Sequence, residues 1–308
     1  MPRIATLALN PTIDADFEVD RVAPTIKLRC TGERYFPGGG GTNVARIVER
    51  LGGKAQCFYL SGGATGATLE ALLEGLGFEH RPVPIAGNTR ICCNVVELES
   101  GKEFRFVPPG PEIAKAEWQA CLDAFGEAQG SYFVASGSLP RGVPANFYAR
   151  TAEIVGAQGM RMVLDSSGEA LKQGLSGGVY LVKPSEEELE QLAGRKLATT
   201  GEIARAAMEI VDGGRAELVA VTMGPKGGLL ASADGPQYMP AIEVEAKSAV
   251  GAGDSFLAAM VHRLALGVNP LDAFRYGMAA GAAAVMTPGT EMCRPRDVER
   301  LYRQATAG

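Results

Sequence analysis

Tyr132-Phe133-Val134-Ala135 runs directly into Ser136-Gly137-Ser138-Leu139-Pro140. A short unbroken apolar run, ended by small polar residues, predicts a strand buried on both faces. The unit recurs down the chain. Met160-Arg161-Met162-Val163-Leu164 leads into Asp165-Ser166-Ser167, and Tyr180-Leu181-Val182 leads into Lys183-Pro184-Ser185. Leu218-Val219-Ala220-Val221 leads into Thr222-Met223-Gly224-Pro225-Lys226-Gly227. Helical patterns separate these strands, so the expected class is α/β: a mainly parallel central sheet flanked by helices. In such sheets ligands bind beyond the carboxyl ends of the strands. The first strand, Ile4 to Leu9, ends in Asn10-Pro11 with Asp14 just after it. Five strand ends therefore bring small polar groups to one edge.

The rest of the chain fits around that frame. Pro37-Gly38-Gly39-Gly40-Gly41 turns into a helix that starts near Thr42-Asn43, runs to Leu51 and stops at Gly52-Gly53. A strand over Ala55 to Leu60 and a helix from Ala67 to Leu76 come next. Arg90 to Leu98 and Glu103 to Val107 flank Glu99-Ser100-Gly101-Lys102 and read as a β-hairpin. A comparable extended segment covers Asp16 to Phe36. Together these strands form a small sheet set apart from the main body. Pro270 to Met286 and Pro295 to Gln304 are helical. No repeat or linker interrupts the pattern, so one domain over residues 1–308 is expected, with a small β-sheet lid from about 14–36 and 89–108.

Composition excludes several classes. With 46% hydrophobic residues in 308, a large core is affordable, yet no apolar run approaches the roughly 20 residues that span a bilayer. The stretch from Met1 to Leu9 is too short and strand-like for a signal peptide, which makes the cytoplasm the expected location. A net charge of −5 with no basic tail argues against nucleic acid as a partner. The six cysteines lack C-x-x-C spacing, so neither a disulfide scaffold nor a zinc site is expected. Only His80 and His262 are available to activate a nucleophile, and His262 is expected on a surface turn of a helix in a structural role.

Chemistry concentrates near the C-terminus. Val250-Gly251-Ala252-Gly253-Asp254-Ser255-Phe256 precedes the apolar run Leu257-Ala258-Ala259-Met260-Val261. Glycines allow close approach to an anion, and a helix start offers free N–H donors and partial positive charge. Asp254 would stand beside a phosphoryl group in transfer, able to take a proton from an attacking hydroxyl; the same residue would equally serve as a helix cap. The chain contains no G-x-x-x-x-G-K-[ST] loop and no G-x-G-x-x-G loop. The glycines at 38–41 are suited instead to wrapping a polar ligand, with Asn43 offering donor and acceptor to hydroxyls. Lys27, Arg29, Arg90 and Arg105 all fall in the lid segments of an otherwise acidic protein. They suit a phosphate dianion, and they equally suit the protection of exposed strand edges.

Pro37-Gly38-Gly39-Gly40-Gly41-Thr42-Asn43-Val44-Ala45 and Val250-Gly251-Ala252-Gly253-Asp254-Ser255 resemble the two signatures of the ribokinase-like (PfkB) sugar kinase family. Lys27-Leu28-Arg29-Cys30, Ser136 to Pro140, Asp165 to Leu171 and Pro288-Gly289-Thr290 extend the resemblance over nearly the whole chain. It implies the ribokinase-like fold and a set of roles. Asp254 resembles the family's general base, and Gly251, Ala252 and Gly253 its backbone anion hole. Asp14, Gly39, Gly40, Asn43 and Ser138 match sugar-contacting positions. Lys183, Ser185, Thr222, Gly224 and Gly227 match the nucleotide side. Asp165 and Glu188 match carboxylates near Mg2+, acting through water, which this ion tends to retain. Carbonyls around Ser248, Val250, Ala284, Thr287 and Gly289 match a monovalent cation loop, with K+ the expected ion.

The resemblance implies ATP-dependent phosphorylation of fructose 6-phosphate at O1, giving fructose 1,6-bisphosphate. Tagatose-6-phosphate kinase and 1-phosphofructokinase activities are the alternatives, and a catalytically idle sugar-phosphate sensor is the alternative of another class. Gly40 favours the 6-phosphate reading, because 1-phosphofructokinases resemble one another in having lysine there. A homodimer clasped through its lids is implied, and so is ATP inhibition at an additional site near Lys27. One departure stands out: Ser185-Glu186-Glu187-Glu188 occupies the place of the family's Asn-x-x-Glu, which removes an amide donor.

Overall fold

The computed structural model describes residues 3–289 and 291–306. Met1 and Pro2 of the N-terminal stretch, and Thr290 of the Pro288-Gly289-Thr290 motif, lie outside the described residues. The chain opens with β1 (Arg3–Ala8), β2 (Thr12–Val19), β3 (Thr31–Gly38) and α1 (Gly40–Arg50). Next come β4 (Lys54–Ser61), α2 (Gly63–Glu74), β5 (Glu79–Pro84), β6 (Arg90–Glu97) and β7 (Glu103–Phe106). The middle alternates: α3 (Lys115–Ala124), β8 (Tyr132–Ser136), α4 (Phe147–Ala157), β9 (Arg161–Asp165), α5 (Gly168–Gly174) and β10 (Val179–Val182). Then follow α6 (Glu186–Ala193), α7 (Thr200–Asp212), β11 (Ala216–Thr222), β12 (Gly228–Ser232) and β13 (Gly235–Met239). Helices α8 (Ala252–Ala265), α9 (Pro270–Val285) and α10 (Pro295–Thr306) end the described chain.

Nine strands form the main sheet in the order β13-β12-β11-β10-β9-β8-β1-β4-β5. Every pairing from β11 through β5 is parallel. The β12 and β13 edge runs antiparallel. Successive residues of β1 feed opposite layers: Ile4 and Ala8 join α1, α8 and α9, while Ala5 and Leu7 join α3, α4 and α7. That two-sided burial is the reason these strands read as continuous apolar runs rather than alternating ones. Alanines at 258, 259, 279 and 280 let α8 and α9 approach closely, so α8 is buried from Ser255 through His262.

The small sheet has the order β3-β2-β6-β7, with β2 and β6 parallel and both outer pairs antiparallel. Along β6 burial alternates: Cys92 and Asn94 face inward beside Asp14 and Asp16 of β2, whereas Ile91 faces out.

Four readings of the sequence need correction. The Asp16 to Phe36 segment is two strands joined by an irregular connection over residues 20–30, where Asp20, Pro24 and the positive-φ Thr25 break the extended pattern. His262 is buried rather than on a surface turn, since the turn after α1 packs beside its ring: a β-carbon on Gly53 would fall 2.8 Å from its Nδ1. Strands β5, β12 and β13 went unread: polar and proline residues mask the pattern in the edge strands β5 and β13, and β12 is a short run, Gly228–Ser232, directly after the Gly224–Gly227 turn. Helix α2 begins at Gly63, four residues before the expected Ala67, where Gly62 supplies the extended cap. No helix among the described residues is long and apolar enough to cross a membrane.

Candidate active site

Parallel pairing sets the carboxyl ends of β1, β8, β9, β10 and β11 along one edge, and α1 and α8 begin beside it. The structure brings Asn43, Asp165, Lys183 and Asp254 into one electrostatic cluster there, and Arg46 links Asp14 to it.

The start of α8 resolves the two roles open to Asp254. Gly251 is the cap, with φ of 71°, and Asp254 lies in the first turn beyond it. Glycine is required at the cap: a β-carbon there would fall 2.2 Å from Met292 Sδ, on a left-handed backbone that other residues resist. The Asp254 carboxylate accepts a hydrogen bond from Asn43 Nδ2 at 2.8 Å, across from α1. Burial and the nearby Asp165 push its pKa up to about 6, restrained by the Asn43 bond and the charges of Lys183 and Arg46. One side of the residue stays open to the cleft.

Lys183 pairs with Asp165 at 2.9 Å, their side chains 7% and 14% exposed. Burial opposes the lysine charge, but the Asp165 carboxylate outweighs it, so the lysine pKa rises and the ammonium persists. Asp165 also accepts from Ser136 Oγ at 3.0 Å. The lysine reaches the turn that opens α8, because a β-carbon on Gly253 would lie 3.6 Å from its Nζ.

On the sugar side, burial pushes Asp14 up to about 7, against the lowering effect of Arg105. Arg90 donates to Asn10 O at 2.7 Å and to Pro108 O at 3.0 Å. Arg105 donates to Asn94 Oδ1 at 3.1 Å, and Asn94 in turn donates to Asp16 Oδ1 at 2.8 Å. Ser138 accepts from Asn10 Nδ2 at 3.3 Å. Gly39 and Gly40 open α1, and a β-carbon at Gly40 would sit 2.1 Å from Ser136 Oγ and 3.0 Å from the Ser136 carbonyl carbon. Any side chain at 40, lysine included, therefore needs the β8 strand end to move. Lys27 and Arg29 stand exposed on the connection between β2 and β3, and the structure places them apart from these contacts.

On the other side, Ser185 caps α6. Its Oγ accepts from Glu188 N at 3.2 Å while Glu188 Oε2 accepts from Ser185 N at 2.8 Å. Serine in place of asparagine thus completes a reciprocal capping box, and the Glu188 carboxylate is engaged with backbone. Thr222 bridges to Ser185 through backbone pairing, with Gly224 and Gly227 in the turn after it. Ser248, Val250, Ala284, Thr287 and Gly289 lie on two segments joined where Lys247 N and Ser248 N both donate to Val285 O, at 2.7 and 3.2 Å. Ala284 O accepts from Thr287 Oγ1 at 2.7 Å, and Ser248 Oγ donates to Glu103 Oε2 of β7 at 3.0 Å.

Asn10 was read as a polar strand end with no role assigned, and Arg46 escaped the sequence reading. Asn10 joins Ser138, Pro109 and Arg90. Arg46 is 7% exposed and bonded to Asn43 Oδ1 at 3.1 Å. Its signal was present: an arginine three residues after Asn43, on the face that carries Val44, Ile47 and Val48 inward. A cavity of about 670 Å³ lies elsewhere, lined by Arg161, Tyr180 and Asp234 at the amino ends of the strands.

A family model described as pfkB family carbohydrate kinase matches residues 4–297. ATP-dependent 6-phosphofructokinase isozyme 2 of Mycobacterium tuberculosis (strain ATCC 25618 / H37Rv) is 45% identical over 306 residues, covering 99% of this chain and 90% of that protein. The isozyme of the same description from Escherichia coli (strain K12) is 38% identical over 304 residues, 98% of each. D-tagatose-1-phosphate kinase of Bacillus licheniformis is 32% identical over 98% of this chain and 97% of its own length. Among solved structures, phosphofructokinase-2 from Escherichia coli in complex with potassium superposes with a TM-score of 0.95 at 37% identity, covering 99% of this chain and 100% of that one. The same protein in complex with fructose-6-phosphate gives 0.93 at 36% identity, with the same coverage.

Proposed function

The chain belongs to the pfkB family of carbohydrate kinases, and from that premise we propose that it transfers the γ-phosphoryl group of ATP to O1 of fructose 6-phosphate. One observation carries the reading: a carboxylate, Asp254, held by Asn43 at the first turn of α8, beside the buried Lys183 ammonium. Asp254 takes the proton from O1 as the oxygen attacks phosphorus, and the bond to the ADP oxygen breaks. The hydroxyl becomes acidic as it attacks, so a carboxylate suffices as base. Backbone N–H groups of residues 251–253 and the Lys183 ammonium face the charge that develops on the transferred group.

Asp14, Gly39, Gly40, Asn43 and Ser138 hold the sugar. Arg90 and Arg105 take its 6-phosphate, joined by Lys27 and Arg29 when the small sheet acts as a lid. Lys183, Ser185, Thr222, Gly224 and Gly227 line the nucleotide. Among the described residues no three His, Cys, Asp or Glu side chains cluster as a closed metal site. Asp165 is paired with Lys183 and Glu188 with Ser185 N, so these two carboxylates would hold Mg2+ through water rather than as direct ligands. Such an ion neutralises phosphate charge. The oxygen-only donor set of Ser248, Val250, Ala284, Thr287 and Gly289 suits K+, which would stiffen the turn before α8.

We read residues 1–308 as one domain with a lid. On the outward face of that lid Ile91, Phe106 and Val107 are 39%, 58% and 54% exposed, an apolar surface that a second copy would cover. A homodimer follows; a monomer in sedimentation at working concentration contradicts it. The activity is tested by ADP release over a panel of fructose 6-phosphate, tagatose 6-phosphate and fructose 1-phosphate. Fructose 6-phosphate is expected to turn over fastest. Release with none of them leaves a sensor, and preference for the 1-phosphate overturns the reading of Gly40.

A further inference from the structure

Arg46 lies on α1 among Val44, Ala45, Ile47 and Val48, 7% exposed. A guanidinium leaves water only at considerable cost. Its hydrogen bonds nonetheless go to uncharged oxygens: Nη1 donates to Pro37 O at 2.8 Å and to Asn43 Oδ1 at 3.1 Å. The guanidinium sits 5.7 Å from the centre of the Phe36 ring, and its Nε is buried without a partner. Burial lowers its pKa to about 10, so it remains charged at neutral pH. Three carboxylates, Asp14, Asp254 and Asp16, lie within range of its charge, yet the bonds it makes are to two neutral oxygens, and that choice calls for a role.

The acceptor it takes is informative. Asn43 Oδ1 faces Arg46, and Asn43 Nδ2 faces Asp254 Oδ2 at 2.8 Å. An amide has one acceptor end and one donor end. Turned over, it would set oxygen against carboxylate and NH2 against guanidinium. We propose that Arg46 is a positioning residue for phosphoryl transfer: it locks the Asn43 amide donor onto Asp254, leaving the other carboxylate oxygen for the sugar hydroxyl, and through Pro37 it fixes the glycine turn to the same unit. The inference rests on the kinase reading of Asp254. Charged groups facing Asp254 are Asp165 at the end of β9, Lys183 after β10 and Arg46 on α1. Arg46 in turn faces Arg50 on its own helix and Asp14 and Asp16 on β2.

Arg46→Met keeps the apolar stem and removes charge and donors. It is expected to lower kcat about ten- to a hundredfold, with KM for ATP changed less than about twofold, as for a misplaced reacting group. The acid limb of kcat should move up by about half a pH unit or more, because a positive neighbour of the base is gone. Arg46→Lys should recover most of both, since one nitrogen makes both bonds. A loss of thermal stability with an unmoved acid limb makes Arg46 structural only and overturns the inference. If Arg46→Met does not fold, Arg46→Gln, a neutral donor, takes its place in the same comparison. A readout free of catalysis is the carbon-13 titration of the Asp254 carboxyl, assigned by its disappearance in Asp254→Asn. Its midpoint should rise in Arg46→Met; an unchanged midpoint sinks the inference even where every variant is active. A wild-type protein that phosphorylates no sugar phosphate instead sinks the kinase reading, and the titration still decides the Arg46–Asn43–Asp254 chain.

Discussion

Lys183 Nζ lies 2.9 Å from Asp165 Oδ1 where β9 and β10 end, and both side chains are nearly closed off from water. Removing one member strands the other. Lys183→Met is expected to cost about 3–5 kcal/mol of stability, the range for breaking a buried pair. Adding Asp165→Asn should recover part of that loss, because no buried charge is then left uncompensated. Urea unfolding of the two single variants and the double variant measures the coupling; additive losses would show the pair to be independent.

Asp254→Asn keeps the shape of the site and removes the base. Turnover is expected to fall about 10²–10⁴-fold with sugar and nucleotide binding little changed. The base works only when ionised, and its pKa is pushed up to about 6. Activity of the native enzyme should therefore decline as pH drops through about 6, and a flat profile down to pH 5 would contradict the assignment.

Arg90 is held by two backbone carbonyls, Asn10 O and Pro108 O, which aim it before any ligand arrives. Arg90→Ala is expected to raise KM for the sugar phosphate about tenfold or more, as loss of a charged hydrogen bond would. KM for ATP should hold. An unaltered sugar-phosphate KM places the phosphate elsewhere.

Asp14 has a folded-state pKa raised by burial to about 7. Its neutral form is tolerated in the fold, and its charged form is penalised. The contribution is fully present below the unfolded carboxylate range and is lost as pH rises through 7. Asp14→Asn should accordingly stabilise the protein at pH 8, by about 1–3 kcal/mol, and do little at pH 4. Thermal melts at the two pH values check the sign, and equal shifts would refute it.

The sheet and its polar edge were legible because two-sided burial writes itself as apolar runs such as Tyr132–Ala135 and Leu218–Val221. The start of α8 was legible because close backbone approach demands glycine at 251. Antiparallel edges were not: Pro236, Gln237 and Tyr238 of β13 face water on an outer strand and carry no periodic signal. Arg46 was missed since a charge on a helix is ordinarily solvated, and only tertiary packing turned this one inward. Glu188 illustrates the reverse: the Ser185-x-x-Glu188 spacing is that of a capping box, so its local partner, Ser185 N, was open to the sequence and was passed over.

Met292 is fully buried, adopts a positive φ of 64° and presses its sulfur toward Gly251. Two residues far apart in the chain are thereby joined: growth at 251 would have to displace the Met292 sulfur and also strain the backbone. A saturation library at 251 should return glycine alone among active clones. A smaller residue at 292 should not bring alanine back, since the backbone at 251 strains any side chain whatever room it is given, so pairwise selection there separates clearance from backbone conformation.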